Sequence, residues 1–257
     1  MPLLTQMHSA RTRSARSAVR ALAALGRTQR MAARVDQALR ILSDWRARCA
    51  RPAVSCSGGK DSTALLLLTM RIDPTIPVYR ADPPNPLPDR PAHVDRLQRA
   101  VAAPWVIVPY PWDVDAVLDG HQRYPIGLKI RRLDAQLRAD GIDGVALGLR
   151  ADESRGRAWN LHVRGQLYSA GGRLVCTPLA HWSAEEVIGF VMAEDRLPLN
   201  PVYTKLEAAP ALKHLRDGTW YPRETADGRG YRDWLAYHYP DVIGQYDRAV
   251  KVMSRAT

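Results

Sequence analysis

Apolar residues alternate between two patterns over most of the chain. Short apolar runs are typical of buried strands, whereas apolar positions three and four residues apart are typical of amphipathic helices. The first helical spacing is formed by Val35, Ala38, Leu39, Leu42 and Trp45. The predicted strands span residues 52–56, 76–81, 105–109, 145–149 and 173–177, and the predicted helices span 35–45, 61–71, 89–102, 127–139 and 183–195.

Strands that alternate with helices up to residue 149 predict an α/β fold, with a parallel sheet covered by helices on both faces. Beyond that strand the pattern changes to a polar, arginine-rich loop, and the end of the chain is mostly helical. We expect three parts: a basic Arg/Ala-rich segment over 1–34, an α/β domain over 35–205 and a helical C-terminal extension over 206–257.

Composition is that of a globular protein, with 46% hydrophobic and 25% charged residues in a chain of 257. The longest uninterrupted apolar run, Ala64–Leu68, is far shorter than the roughly 18 residues of a membrane span. We therefore expect a cytoplasmic protein with no membrane partner. The three cysteines, Cys49, Cys56 and Cys176, are too few and too scattered for a disulfide framework or an iron–sulfur cluster.

The formal charge of +11 is concentrated near the N-terminus. Eleven arginines and two aspartates precede residue 54, so nine of the eleven excess charges lie there. Nucleic acid could bind this segment through its arginines. The alternative interpretations are a solvated arm, a translation start at Met31 and a mitochondrial transit peptide. Arginine richness throughout the chain weakens the case for nucleic-acid binding.

The segment Ser57-Gly58-Gly59-Lys60-Asp61-Ser62 separates the first predicted strand from the second predicted helix. Two glycines allow a tight turn that points successive amides at one spot, and the positive end of the helix dipole points there too. A lysine charge and serine hydroxyls complete a nest for a phosphate or pyrophosphate. It is not a Walker loop, which would need Gly at Val54 and Ser or Thr at Asp61.

Three motifs together resemble a known family. Residues 54–63 are similar to the pyrophosphate loop of the adenine-nucleotide alpha-hydrolase-like superfamily, in its phosphoadenosine-phosphosulfate reductase branch. Residues 148–158 resemble the G-x-R-x-x-E-S-x-x-R-A signature of that branch. Residues 178–183 and 197–203 resemble its P-L-x-x-W-(S/T) and L-P-x-N-P-x-Y elements. The resemblance covers about residues 50–205 and implies a Rossmann-like PP-loop domain.

Basic and acidic residues of the second motif follow the fourth strand, where open parallel sheets bind ligands. Guanidinium groups pair with phosphate oxygens, and carboxylates hold Mg²⁺ or fix the arginines; a surface salt-bridge loop is the alternative. We assign catalysis to Lys60, Arg150 and Arg157. Metal binding is assigned to Asp61, Asp152 and Glu153. Nucleotide and pyrophosphate binding is assigned to Ser57, Gly58, Gly59, Lys60, Asp61, Ser62, Asp82 and Arg155.

Four residues near these motifs have a structural alternative. Asp82 follows the second strand, where the family carries an acidic residue, but a plain turn aspartate is equally compatible. Lys129 begins a predicted helix and is either a nucleotide contact or a solvated lysine. We interpret Trp182 as a core anchor rather than a stacking surface, and His181 as a packed or exposed histidine rather than a general base.

The resemblance implies two chemistries, and the cysteines distinguish them. Sulfonucleotide reductases need a C-terminal catalytic cysteine, and no cysteine follows Cys176. We therefore expect an ATP- and Mg²⁺-dependent adenylyltransferase that resembles the small subunit of sulfate adenylyltransferase. Such an enzyme acts on an oxyanion or small-molecule acceptor and could have a partner subunit. The alternatives are a DNA phosphorothioation or tRNA thiolation component, and a sulfonucleotide-binding protein without turnover.

Overall fold

In a computed structural model, the described residues are 15–125, 127–207, 209, 212, 215 and 230–255. They form a six-stranded sheet with the order β3-β2-β1-β4-β6-β5. Every neighbouring pair is parallel except β5 and β6, which are antiparallel. The strands are β1 (Pro52–Ser55), β2 (Val78–Asp82), β3 (Trp105–Pro109), β4 (Gly144–Ala146), β5 (Leu167–Ala170) and β6 (Arg173–Cys176).

Helices connect the parallel strands and extend the chain at both ends. They are α1 (15–25), α2 (Gln29–Ala47), α3 (Lys60–Ile72), α4 (Arg90–Ala100), α5 (Val114–Leu118), α6 (Leu128–Ala139), α7 (Arg155–Arg164), α8 (Ala184–Glu194), α9 (Tyr231–His238) and α10 (Pro240–Arg255), with short 3₁₀ turns at Ala151–Glu153 and Pro201–Thr204. The predicted α/β fold with a helical C-terminal extension is confirmed.

Successive strand residues pack on opposite faces of the sheet. Val54 and Ala146 join the larger core cluster, to which α2, α3, α4 and α8 contribute, whereas the adjacent Ala53 and Val145 join a smaller cluster with Leu137 of α6. The strands are nearly continuous in apolar residues because both faces of the sheet are buried. The sheet thus has one densely covered face and one that α6 covers.

The predicted polar loop after the fourth strand is wrong in part, because residues 155–164 form helix α7. Ser154 caps it by accepting a hydrogen bond from the Arg157 amide, and Gly165 ends it with a φ of 72°. Only Leu161 of this helix is buried. A helix with one buried side chain shows no apolar periodicity, which explains why the sequence pattern did not reveal it.

The N-terminal border predicted between residues 34 and 35 falls inside α2. Thr28 caps that helix by accepting from the Met31 amide at 3.2 Å, and the Met31 side chain is buried in the core. A Cβ built on Gly26 would lie 1.9 Å from the carbonyl oxygen of Gly189 in α8. Residues 15–34 therefore pack against the domain.

Helices α9 and α10 form a second apolar cluster around Trp234 and Tyr246. The 3₁₀ turn after α8 joins this cluster through Val202 and Tyr203. Residues 216–229 of the predicted extension lie outside the described residues. Among the helices of the described part, none combines the length and the apolar character that crossing a bilayer requires.

Candidate active site

The predicted phosphate loop connects β1 to α3, and its amides converge. The amides of Ser57 and Gly58 donate to the Ser62 Oγ at 3.2 and 3.1 Å, and the Gly59 amide donates to the Ser57 Oγ at 3.3 Å. Gly58 has a φ of 86°, which favours glycine. Because the N-cap of α3 is Gly59, no capping side chain accepts from the first-turn amides. The loop thus concentrates amide donors at a helix N-terminus.

Two side chains of α4 hold the carbonyl side of this loop. The Arg90 Nη2 donates to the Ser57 carbonyl at 2.7 Å, and the His93 Nε2 donates to the Gly58 carbonyl at 3.0 Å. Both side chains are buried. Since C=O and N–H point in opposite directions across a planar peptide, these bonds orient the next amides, those of Gly58 and Gly59, away from α4.

The second motif begins with a close backbone contact. A Cβ built on Gly148 would lie 2.9 Å from the carbonyl carbon and oxygen of Asp61 and 3.1 Å from the Ser62 amide nitrogen. Only glycine lets the chain after β4 pass this close to the first turn of α3. The two motifs are therefore in direct contact through their backbones.

Arg150 is a fully buried cation that ties the two motifs together. Its guanidinium donates to the carboxylates of Asp61 and Asp152 and, at 3.4 Å, to the carbonyl of Trp182. Burial alone would lower the pKa of Arg150, but the nearby carboxylates raise it above its ordinary value. Its Nη2 is buried and makes no hydrogen bond with any described residue.

The rest of the second motif leads into α7. Glu153 accepts from the Arg150 amide at 3.1 Å and pairs with the guanidinium of Arg157. Arg155 is exposed and makes no hydrogen bond or ion pair within the described part of the chain. The structure thus brings Arg150 and Arg157 to the same acidic cluster and leaves Arg155 at the surface.

The third motif reaches the loop through Tyr203. The Lys60 ammonium lies 5.2 Å from the centre of the Tyr203 ring and 3.0 Å from the Asp61 Oδ2. Lys60 is only 3% exposed. The side chain of Asn200 holds the turn that carries Tyr203, because it accepts from the Val202 amide at 3.0 Å.

Residues 51–207 match the family described as the phosphoadenosine phosphosulfate reductase domain, which is more than half of the chain. The chain belongs to this family. No curated protein matches it.

Several solved structures share the fold of this chain, although their sequence identity to it is low. A phosphoadenylyl-sulfate reductase from Candida auris, in a phosphate complex, is 13% identical with a TM-score of 0.51, over 64% of this chain and 82% of that one. A Candida glabrata FMN adenylyltransferase with FMN and AMPCPP is 12% identical with a TM-score of 0.51, over 74% and 67%. An NMN synthetase from Francisella tularensis is 16% identical with a TM-score of 0.50, over 88% and 94%.

Asp82 stands at the carboxyl end of β2, one strand away from the loop. The Arg80 Nη2 donates to its Oδ1 at 2.5 Å. Burial and then the charge of Arg90 lower the pKa of Arg80. The buried guanidinium groups of Arg90 in α4 and Arg80 in β2 thus place positive charge at the carboxyl edge of the sheet.

Sequence reasoning missed Arg80, Arg90 and His93. The signal for the last two was present, because Arg90, His93, Val94 and Leu97 are spaced three, four and seven residues along α4 and are all buried. A basic residue and a histidine on the buried stripe of a helix require polar partners. Those partners are loop carbonyls, which the pattern alone does not identify.

The remaining assignments divide between core and surface. Trp182 is buried and packs edge-to-face on Phe190, with ring centres 5.4 Å apart, so it is a core anchor. His181 and Lys129 are exposed. Neither His181 nor Lys129 is among the buried groups around the phosphate loop.

Proposed function

We propose that the protein is a PP-loop enzyme that binds ATP and transfers its adenylyl group to an acceptor oxygen, in the manner of a sulfate adenylyltransferase small subunit. The acceptor oxygen attacks the α-phosphorus and forms a new P–O bond. The bond from that phosphorus to the oxygen bridging to the β-phosphorus breaks, and its electron pair leaves with pyrophosphate. An acceptor that arrives as an oxyanion brings no proton, so the step needs no general base, and because the acceptor itself attacks the phosphorus it needs no protein nucleophile either.

The convergence of loop amides at the uncapped N-terminus of α3 carries this proposal. Negative charge grows on the leaving pyrophosphate, and amides oriented in advance stabilise such charge without reorganisation. In this proposal the Ser57 and Ser62 hydroxyls, which now occupy the amides, give way to phosphate oxygens. Lys60 and the unbonded Nη2 of Arg150 add positive charge beside them.

The acidic residues that the sequence assigns to Mg²⁺ are paired with arginines in the structure. Asp61 and Asp152 pair with Arg150, and Glu153 pairs with Arg157. Within the described residues no group of three donor side chains could hold a metal ion. We propose that Mg²⁺ arrives with ATP as part of the substrate, and that these carboxylates position the arginines.

The cysteines favour adenylyl transfer over reduction. Cys49, Cys56 and Cys176 are all buried. Burial raises the pKa of the Cys49 and Cys176 thiols, which disfavours the nucleophilic thiolate. Cys56 lies directly before the loop and is 1% exposed. No described thiol is accessible to a sulfonucleotide.

Incubation with ATP labelled at the α-phosphate, Mg²⁺ and a panel of oxyanion acceptors tests the proposal. We expect pyrophosphate together with AMP or an adenylylated acceptor. Lys60→Ala should lower the rate at least tenfold through loss of one buried charge at the leaving group, and Arg48→Ala, at an exposed position, should not change it. Formation of ADP and phosphate, or of no product with any acceptor, would refute the proposal.

A further inference from the structure

One carboxylate joins helix α4 to the C-terminal part of the chain. Asp89 directly precedes α4. Its Oδ2 accepts from the Lys205 Nζ at 2.7 Å and from the Tyr239 hydroxyl at 2.8 Å. The Lys205 ammonium also lies 4.1 Å from the centre of the Tyr239 ring. These three residues, the Asp89 cluster, connect positions 116 and 150 residues apart in the chain.

Helix α9 holds the C-terminal side of the Asp89 cluster in place. The Nε1 of the fully buried Trp234 donates to the Lys205 carbonyl at 2.7 Å. Its ring packs edge-to-face on the Tyr239 ring, with centres 5.4 Å apart. Tyr239 is itself buried and lies beyond residues 51–207, which match the family. The Asp89 carboxylate therefore bonds to a fixed part of the helical extension.

The other side of the Asp89 cluster leads to the phosphate loop. The Asp89 carboxylate accepts from none of the first-turn amides of α4, although aspartate at this position of a helix often does so. The Asp89 carbonyl accepts from the His93 amide at 3.1 Å, within that first turn. Arg90 and His93 bond to the carbonyls of Ser57 and Gly58. One turn of α4 thus separates the Asp89 cluster from the loop.

The charges of the Asp89 cluster favour this connection. Burial would raise the pKa of Asp89, but the hydrogen bonds from Lys205 and Tyr239 lower it below its ordinary value. The carboxylate is therefore ionised, and hydrogen bonds to an ionised group are stronger than those between neutral groups.

We propose that Asp89, Lys205 and Tyr239 are positioning residues for the phosphate loop. They hold the N-terminus of α4 and, through Arg90 and His93, orient the loop amides. The helical extension is then part of what prepares the loop for an anion. The effect on catalysis rests on the proposed adenylyl transfer, whereas the effect on the loop amides can be measured without ATP.

Hydrogen exchange of the full chain, measured by mass spectrometry on peptides that cover residues 55–63, tests the proposal. Tyr239→Phe removes one donor and keeps the ring, and the loop amides should exchange about tenfold faster than in wild type. Asp89→Ala should have at least the same effect. Asp89→Asn keeps an acceptor oxygen and should restore part of the protection.

Tyr246→Phe is the matched control. It removes a buried hydroxyl from the same aromatic cluster, and that hydroxyl makes no hydrogen bond with any described residue. Exchange of the loop amides should be unchanged in this variant. Unchanged loop exchange in Tyr239→Phe and Asp89→Ala would overturn the proposal. Equal acceleration of exchange in the loop and in helix α2 would also overturn it, because it would indicate a general loss of stability.

Pyrophosphate release from ATP provides the second measurement. Tyr239→Phe should lower kcat about fivefold and leave KM for ATP nearly unchanged, because oriented amides act on charge that develops in the transition state. Tyr246→Phe should match wild type. Unchanged kcat in Tyr239→Phe would contradict the proposal. A wild-type protein that releases no pyrophosphate would refute the proposed function alone, because the exchange of the loop amides does not depend on turnover.

Discussion

The phosphate loop and helix α7 are both linked to Arg150, the loop through Asp61 and α7 through the Glu153–Arg157 pair. They differ in how many of their polar groups form hydrogen bonds with other parts of the protein. In the loop, amides bond to serine hydroxyls and carbonyls bond to Arg90 and His93. In α7, most side chains face solvent. The loop is therefore held in one orientation by the protein's own contacts, as the proposed stabilisation of developing charge requires, whereas the side chains of α7 are left largely without contacts.

The largest expected difference in stability is between a variant of Arg150 beside the loop and a variant of Arg157 in α7. Arg150→Met removes the buried cation that the carboxylates of Asp61 and Asp152 share, and should lower the free energy of unfolding by about 3 kcal/mol. Arg157→Met removes a guanidinium that is 38% exposed, and should cost less than about 1 kcal/mol. Urea denaturation of both variants measures this. Equal losses would mean that Arg150 does not bind the motifs together.

Two glycines, Gly148 beside the loop and Gly156 in α7, test the same difference between the two regions. Gly148→Ala forces a Cβ against the backbone of Asp61 and should cost about 1–3 kcal/mol. In Gly156→Ala on α7 the Cβ meets no atom within 4 Å, and stability should be unchanged or higher by up to about 1 kcal/mol. Thermal unfolding distinguishes them, and a Gly148→Ala variant as stable as wild type would contradict the close approach of the two motifs.

Sequence patterns predicted much of this molecule, namely the α/β fold, the loop between the first strand and the next helix, and the place of the second motif at the end of the fourth strand. Each of these depends on local spacing or on the rule that strand ends share one edge of a sheet. Helix α7 escaped prediction because Leu161 alone is buried. The contacts of Arg90 and His93 escaped because they join residues 33 and 35 positions apart, which only the folded sheet brings together.

A smaller effect is expected from His93, which tests whether α4 orients the loop amides. His93→Ala removes the donor that orients the Gly59 amide, and should lower the rate of pyrophosphate release about tenfold. His93→Gln retains an N–H donor and should recover part of that rate. Measured kcat should change more than KM for ATP, because the oriented amides act on developing charge. Unchanged kcat in both variants would show that α4 does not orient the loop.

The smallest expected effect belongs to α7. Trp159→Ala removes a ring that is mostly in solvent, and the free energy of unfolding should change by less than about 0.5 kcal/mol. Urea denaturation is again the measurement. A loss of several kcal/mol would indicate that Trp159 supports the fold, and α7 would then no longer be a surface that folding leaves unused.

Calorimetric titration with ATP, inorganic pyrophosphate and AMP tests most directly whether the loop holds the two terminal phosphates. We predict that ATP and pyrophosphate compete for one site and that AMP, which lacks those phosphates, binds at least tenfold more weakly. Binding of AMP as tight as that of ATP, together with no binding of pyrophosphate, would contradict the assignment of the loop.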